Sequence, residues 1–223
     1  MKSRFKDILK RVLGFVAYVA WMPVLLAGCG NSEPEKVTPM VQIKTEQAVG
    51  SGIVYEQRGD SLIIITAAHV LQGASDAVEI IFADGYSVES HSYTLSQTSD
   101  VAFITIFLEE IPEKHLQKYD PVRLDKKHFD ALTEGEKVTV QGFSADEQLL
   151  TLDGTILYPW IYAEDFKQYM MLIRGEVLPG MSGGGVFDSE ENFIGIICGV
   201  SEEREIATVP LSIIIAEYSL ICE

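Results

Sequence analysis

The stretch SGIVYEQRGDSLIIIT, Ser51–Thr66, places two apolar runs rich in β-branched residues on either side of a polar break containing Gly59 and Asp60. Short runs of this kind, bounded by Gly and Asp, read as strands joined by a turn rather than as a helix. The same pattern recurs along the rest of the chain. From Val41 onward it offers AVEIIF, VAFITIF, KVTVQGF, QLLTL, TILYP, YMMLIR, GGVF, FIGIICGV and IATVPL, separated by Gly, Asp, Ser and Asn. Regular short strands with turn residues between them predict an all-β sandwich or barrel. Asp153 and Gly154, in LDGT, form a favoured hairpin pair and predict a turn between QLLTL and TILYP.

Helical pattern is sparse. AEDFKQYM suits a short turn, and the final LSIIIAEYSLICE reads as a terminal helix, with a strand as the alternative. The charged segment Glu109–Glu136 has few strand signals. It divides a domain of residues 41–223 into β-rich halves of about 41–125 and 134–211.

The N-terminus is of another kind. MKSRFKDILKR is basic, and the apolar run Val12–Gly28 follows it, the layout of a secretory signal. Leu26, Ala27, Gly28 and Cys29 resemble the lipobox of bacterial lipoproteins, in which the chain is cut before a cysteine that then carries lipid. On this reading residues 1–28 are removed, Cys29 is lipidated, and residues 29–40 tether the domain to a membrane. The alternative is an uncleaved anchor, for which 17 apolar residues are at the short end of a bilayer span. A lipid-anchored protein of the bacterial cell envelope is therefore expected.

Residues 1–28 hold five of the 17 basic and one of the 33 acidic residues, leaving 12 against 32 in the remainder. Such a balance argues against nucleic acid as a partner, because phosphates need basic side chains. Of the three cysteines, Cys198 and Cys222 remain after Cys29 and can either pair in an exported compartment or stay as buried thiols. Neither a CxxC nor a histidine pair at ligand spacing occurs, so no metal or cofactor is expected. His91, His115 and His128 lie in polar stretches and read as surface residues.

LPGMSGGGVF, Leu178–Phe187, sets one serine among glycines. Such a run allows the strained turn that presents a hydroxyl, and equally a loop that presents nothing. A serine nucleophile needs a base, and the base needs an orienting carboxylate. His69 follows an apolar run directly, in IIITAAHVLQGA, and is positioned by it. Asp100 precedes another, in TSDVAFITIF, where its carboxylate can sit at the edge of a core. Each alone has an ordinary explanation as a capping histidine or a turn aspartate.

Together TAAHV, SDVAFITI and PGMSGGGVF follow the order His, Asp, Ser. With GSGIVYEQRGDSLIIITAAHVLQGA and VEIIFADGYSVES, they make the chain resemble the trypsin-like serine peptidases, and among them the bacterial HtrA/Deg branch, from about Val41 to Leu211. The resemblance implies two six-stranded antiparallel β-barrels with a catalytic cleft between them, followed by the short C-terminal helix. It implies His69 as base, Asp100 as orienting acid and Ser182 as nucleophile toward peptide bonds, with protein or peptide substrates. The amides of Gly180 and Ser182 would form an oxyanion hole, worth roughly 3–4 kcal/mol per donor. Gly199, Val200 and Ser201 would pair with substrate backbone, and Glu176 falls where an acid selecting Lys or Arg side chains is carried.

The sequence departs from the family at three places. Met181 stands where the digestive enzymes have aspartate and the HtrA branch commonly asparagine, which bears on the oxyanion loop. Gly185 replaces a frequent proline, and with few residues after the expected second barrel no PDZ domain is expected. The rival reading is a peptidase-like module that binds proteins without cleaving them or switches between states; a third is ester hydrolysis.

Overall fold

The computed structural model describes residues 37–74 and 76–222, the last of them by its backbone alone. The lipobox and Cys29 lie outside the described residues. In the first half, β1 (Met40–Lys44), β2 (Val49–Arg58), β3 (Ser61–Thr66), β4 (Val78–Phe82), β5 (Ser87–Ser90), β6 (Tyr93–Leu95) and β7 (Ala102–Phe107) build one antiparallel sheet. Its order is β5-β4-β1-β2-β3-β7-β6. The hairpin read from Ser51–Thr66 is β2–β3, with Arg58 opposite Ser61 and positive φ at Gly59. This half is a seven-stranded sheet with two edges, β5 and β6, rather than a closed six-stranded barrel.

The second half does close. Strands β8 (Lys137–Phe143), β9 (Leu149–Ala163), β10 (Gln168–Gly175), β11 (Gly185–Phe187), β12 (Phe193–Val200) and β13 (Ile206–Pro210) form a six-stranded barrel. Between the halves run a 3-10 turn (Leu108–Glu110) and two one-turn helices, within the expected connector. Helix α1 (Ala68–Leu71) follows β3; the connector helices are α2 (Glu113–Leu116) and α3 (Lys126–Phe129), and α4 (Leu211–Cys222) ends the chain.

The hairpin expected at Asp153-Gly154 is absent, because one strand runs through it. Asp153 lies opposite Thr139, while Gly154 faces Val138 on one side and Gly175 on the other. A Cβ on Gly154 would come within 2.7 Å of Ile173 Cγ2. The glycine thus serves close packing inside a doubly paired strand, a demand set by the neighbours. The actual turn comes at 164–167, where Lys167 adopts positive φ.

One apolar cluster joins the halves. Met40, Ile53 and Phe103 from the first sheet and Val101 just before β7 pack in it with Phe143, Phe193, Ile196 and Leu211 from the second half. The expected surface position of two histidines also needs correction. His115 Nδ1 lies 2.8 Å from Asp84 and its ring stacks on Tyr86, while His128 Nε2 is 3.3 Å from the buried Asp188. Both are held by acids distant in sequence, Asp84 partly buried and Asp188 buried; His91 alone of the three stays well exposed.

Candidate active site

Strand β3 ends at Thr66, and the chain turns through the buried Ala67 into α1, which carries His69 to the surface. Asp100 closes the loop between β6 and β7. Its carboxylate accepts the His69 backbone N–H at 2.9 Å and lies 2.7 Å from the ring Nδ1. Two bonds to one residue fix both the backbone and the ring. Since an ionised carboxylate only accepts, Nδ1 carries the ring proton and Nε2 keeps its lone pair.

The electrostatics agree with that pairing. The hydrogen bond to Asp100 raises the pKa of His69, partial burial opposes it, and the Asp100 charge adds to the rise. Burial alone would raise the Asp100 carboxyl, but the His69 ring, its charge and its amide bring it below the usual range, with help from the Cys198 thiol. Cys198 is a free buried thiol, and the side chain of Cys222, its expected alternative partner, lies outside the described residues. Its Sγ lies 4.0 Å from the Asp100 carbonyl oxygen, and burial followed by the Asp100 charge pushes its pKa up.

Ser182 sits in a turn that needs its glycines. Gly180 and Gly183 have φ of +96° and +82°, where a side chain is strained. A Cβ on Gly183 would strike Ser51 O and Thr66 Oγ1 and come within 2.9 Å of Ala67 N. The turn therefore lies directly against the segment that delivers His69. On its other side the Gly183 N–H donates to Ile197 O, beside Cys198 and hence beside Asp100. The three segments are thus neighbours through their backbones, while the Ser182 hydroxyl makes no hydrogen bond to His69 among the described residues.

Within the turn the amides divide into two sets. Those of Met181, Gly183 and Gly184 donate to Leu178 O, Ile197 O and Met181 O. Those of Gly180 and Ser182 have no protein acceptor among the described residues. Two unspent donors flanking a serine are the requirement of an anion-stabilising pocket.

Met181, at the position that departed from the family pattern, is fully buried in the core of the closed barrel. Apolar burial anchors the turn where a polar side chain would use hydrogen bonds. Ser51 is a contributor that sequence reasoning missed. Its hydroxyl accepts Phe143 N–H and donates to Gly180 O, both at 2.8 Å, and its amide donates to Ser182 O at 2.7 Å. The available signal was a lone serine between Gly50 and Gly52, both packed too closely for a side chain.

The remaining expected residues occupy the rim. Strand β12 pairs with β11 only as far as Ile196 and runs on to Val200, so the edge at Gly199 and Val200 is free of β11. Val200 is exposed, and Ser201 donates its amide to Glu205 O in the following turn. Glu176 is exposed in the loop after β10, apart from the His69–Asp100 pair's hydrogen bonds. Among the described residues no group of acids, histidines or cysteines could hold a metal ion.

The family model of the trypsin-like peptidase domain matches residues 50–196. The HtrA-like serine protease of Staphylococcus aureus (strain USA300) is 28% identical over 179 residues, 75% of this chain. The match covers 22% of that protein, so the chain spans about a fifth of the length of the curated relatives it matches. Among solved structures, the Rv3671c protease in its inactive form has a TM-score of 0.66 at 20% identity, covering 85% of this chain and 89% of the other. The HtrA-type protease AlgW with a tripeptide has a TM-score of 0.69 at 18% identity, covering 85% and 62%. At these identities the two structures establish the fold.

Proposed function

From the trypsin-like peptidase family, to which this chain belongs, we propose a serine endopeptidase that cleaves peptide bonds in exported proteins through His69, Asp100 and Ser182. The observation that carries it is the Asp100 carboxylate bound at once to the His69 amide and ring, beside a serine turn with two unspent amides. Ser182 attacks the peptide carbonyl while His69 Nε2 takes its proton and returns it to the leaving amine. Asp100 holds the tautomer and stabilises the imidazolium. The Gly180 and Ser182 amides receive the oxyanion.

Substrate backbone adds along the edge of β12 left free by β11 at Gly199 and Val200, in the manner of a strand added to a sheet, with Ser201 as a contact just beyond the strand. The exposed Glu176 favours a basic side chain, checked by the loss of that preference in Glu176→Gln. Lipid on Cys29 holds the domain at the cell envelope, where its substrates are protein or peptide segments.

Reaction with a fluorophosphonate, weighed on intact protein, tests the reading. A single adduct that vanishes in Ser182→Ala supports it. A folded protein without any adduct overturns it in favour of a binding module with this fold. Because His69 acts only when Nε2 is unprotonated and its pKa is raised, the adduct rate should rise with pH through a midpoint above the ordinary histidine value of about 6.5. Asp100→Asn should slow the reaction about ten-thousand-fold.

A further inference from the structure

Helix α4 belongs to the end of the chain, yet one of its side chains is spent on the loop that carries Asp100. Leu211 and Ile214, both fully buried, seat its first turn in the shared core. Further along, Glu217 is buried and reaches the turn Ser96–Ser99, immediately before Asp100. Its Oε2 accepts the Ser96 hydroxyl at 2.7 Å, and its Oε1 accepts those of Ser99, at 2.9 Å, and Thr98.

The turn is itself organised around Ser96, whose Oγ also accepts the amides of Thr98 and Ser99, both at 3.0 Å. Its ends are tied by Ser96 N–H donating to Val101 O, across Asp100. No cation bridges to Glu217 among the described residues. Three hydroxyls alone offset the cost of burying this carboxylate. A buried charge is an expensive way to fasten a helix, and an apolar side chain would do that at lower cost. What an apolar side chain lacks is direction: a two-oxygen acceptor sets where each of three hydroxyls sits.

We propose that Glu217 is a positioning residue for Asp100: its carboxylate holds the Ser96–Ser99 turn so that Asp100 keeps both bonds to His69. This rests on Asp100 being the orienting acid of His69. The groups facing Asp100 are His69 and the Cys198 thiol; those facing Glu217 are the three hydroxyls. If the turn slackens, the Asp100–His69 bonds lengthen. The His69 pKa then falls, because the hydrogen bond to Asp100 is what raises it.

The experiment follows the titration of His69 by imidazole NMR in the full chain, which requires no turnover, alongside the rate of adduct formation with diisopropyl fluorophosphate. In Glu217→Gln the His69 midpoint should move to lower pH and the adduct rate should fall about tenfold to a hundredfold. Thr98→Val, which keeps Glu217 and removes one donor, should shift both in the same direction and serves if the first variant does not fold. Tyr218→Phe removes a neighbouring bond from the same helix, to Glu56 at 2.5 Å. It should lower stability and leave the midpoint in place.

Asp100→Asn separates the role of Asp100 from that of Glu217. If it leaves the His69 midpoint unmoved, the assignment of Asp100 is wrong and this inference falls with it. If it lowers the midpoint while Glu217→Gln and Thr98→Val do not, only the inference is overturned. A loss of stability in those variants without a shift makes Glu217 a fastening of the helix and nothing more.

Discussion

Asp84 collects Lys118 Nζ at 2.9 Å, His115 Nδ1 at 2.8 Å, Tyr119 Oη at 2.7 Å and the Tyr86 amide at 3.2 Å. It pins the connector to the first sheet. Burial alone would raise its pKa, but the bonds from Lys118, His115, Tyr119 and the Tyr86 amide hold it far below the usual carboxylate range. A folded pKa below the unfolded one means stability that is fully present above about pH 4 and is lost as pH falls toward the folded value. Asp84→Asn should therefore cost about 2–3 kcal/mol at neutral pH, and the difference from the parent should narrow only in acid. Urea unfolding at a series of pH values measures both. In sequence Asp84 was one of many aspartates, and nothing local to FADGY told that three side chains from a later segment would meet it.

At the scale of an element, the Ser182 turn is a segment whose conformation its own glycines permit and its neighbours impose. Glycine permits the positive φ seen at Gly180 and Gly183, so a strained turn was one of the two readings GMSGGG left open. Its placement depends on Ser51, Thr66 and Ala67, which leave no room for a Cβ at Gly183. Gly183→Ala should cost about 2 kcal/mol or more through strain alone, and should abolish fluorophosphonate labelling even in the fraction that stays folded. Thermal unfolding and intact mass on one sample read the two effects. Strand β9 shows the converse case: Asp-Gly has turn chemistry, yet pairing on both sides straightened it. Cross-strand partners decide a strand's length, and they are remote in sequence.

For the whole molecule, the apolar cluster that holds Met40 and Ile53 together with Phe193 and Leu211 makes the two halves share a core. Phe193 is fully buried, with its ring centroid 5.9 Å from that of Phe187. Phe193→Ala should lose about 3–5 kcal/mol. Although the residue lies in the closed barrel, tryptophan fluorescence and far-UV dichroism should still report a single transition, with the first sheet lost at the same denaturant concentration. Two separate transitions would show that the halves fold independently.

The sequence by itself determined the β class, the hairpin at Ser51–Thr66 and the three ordered motifs that mark the family, and it left the last segment between helix and strand. These are carried by residue type and short-range period: β-branched runs, turn glycines, a histidine and an aspartate set against apolar strands. Tertiary structure alone decided that the first sheet stays open while the second closes, and that Asp153-Gly154 is strand. It also decided that Met181 anchors the serine turn through the core, and that Ser51 and Glu217 hold loops bearing Ser182 and Asp100. The physical reason is common to all of these. Closure, burial and the hydrogen bonds of a loop depend on which distant residues arrive beside it, and that is a property of the packed chain.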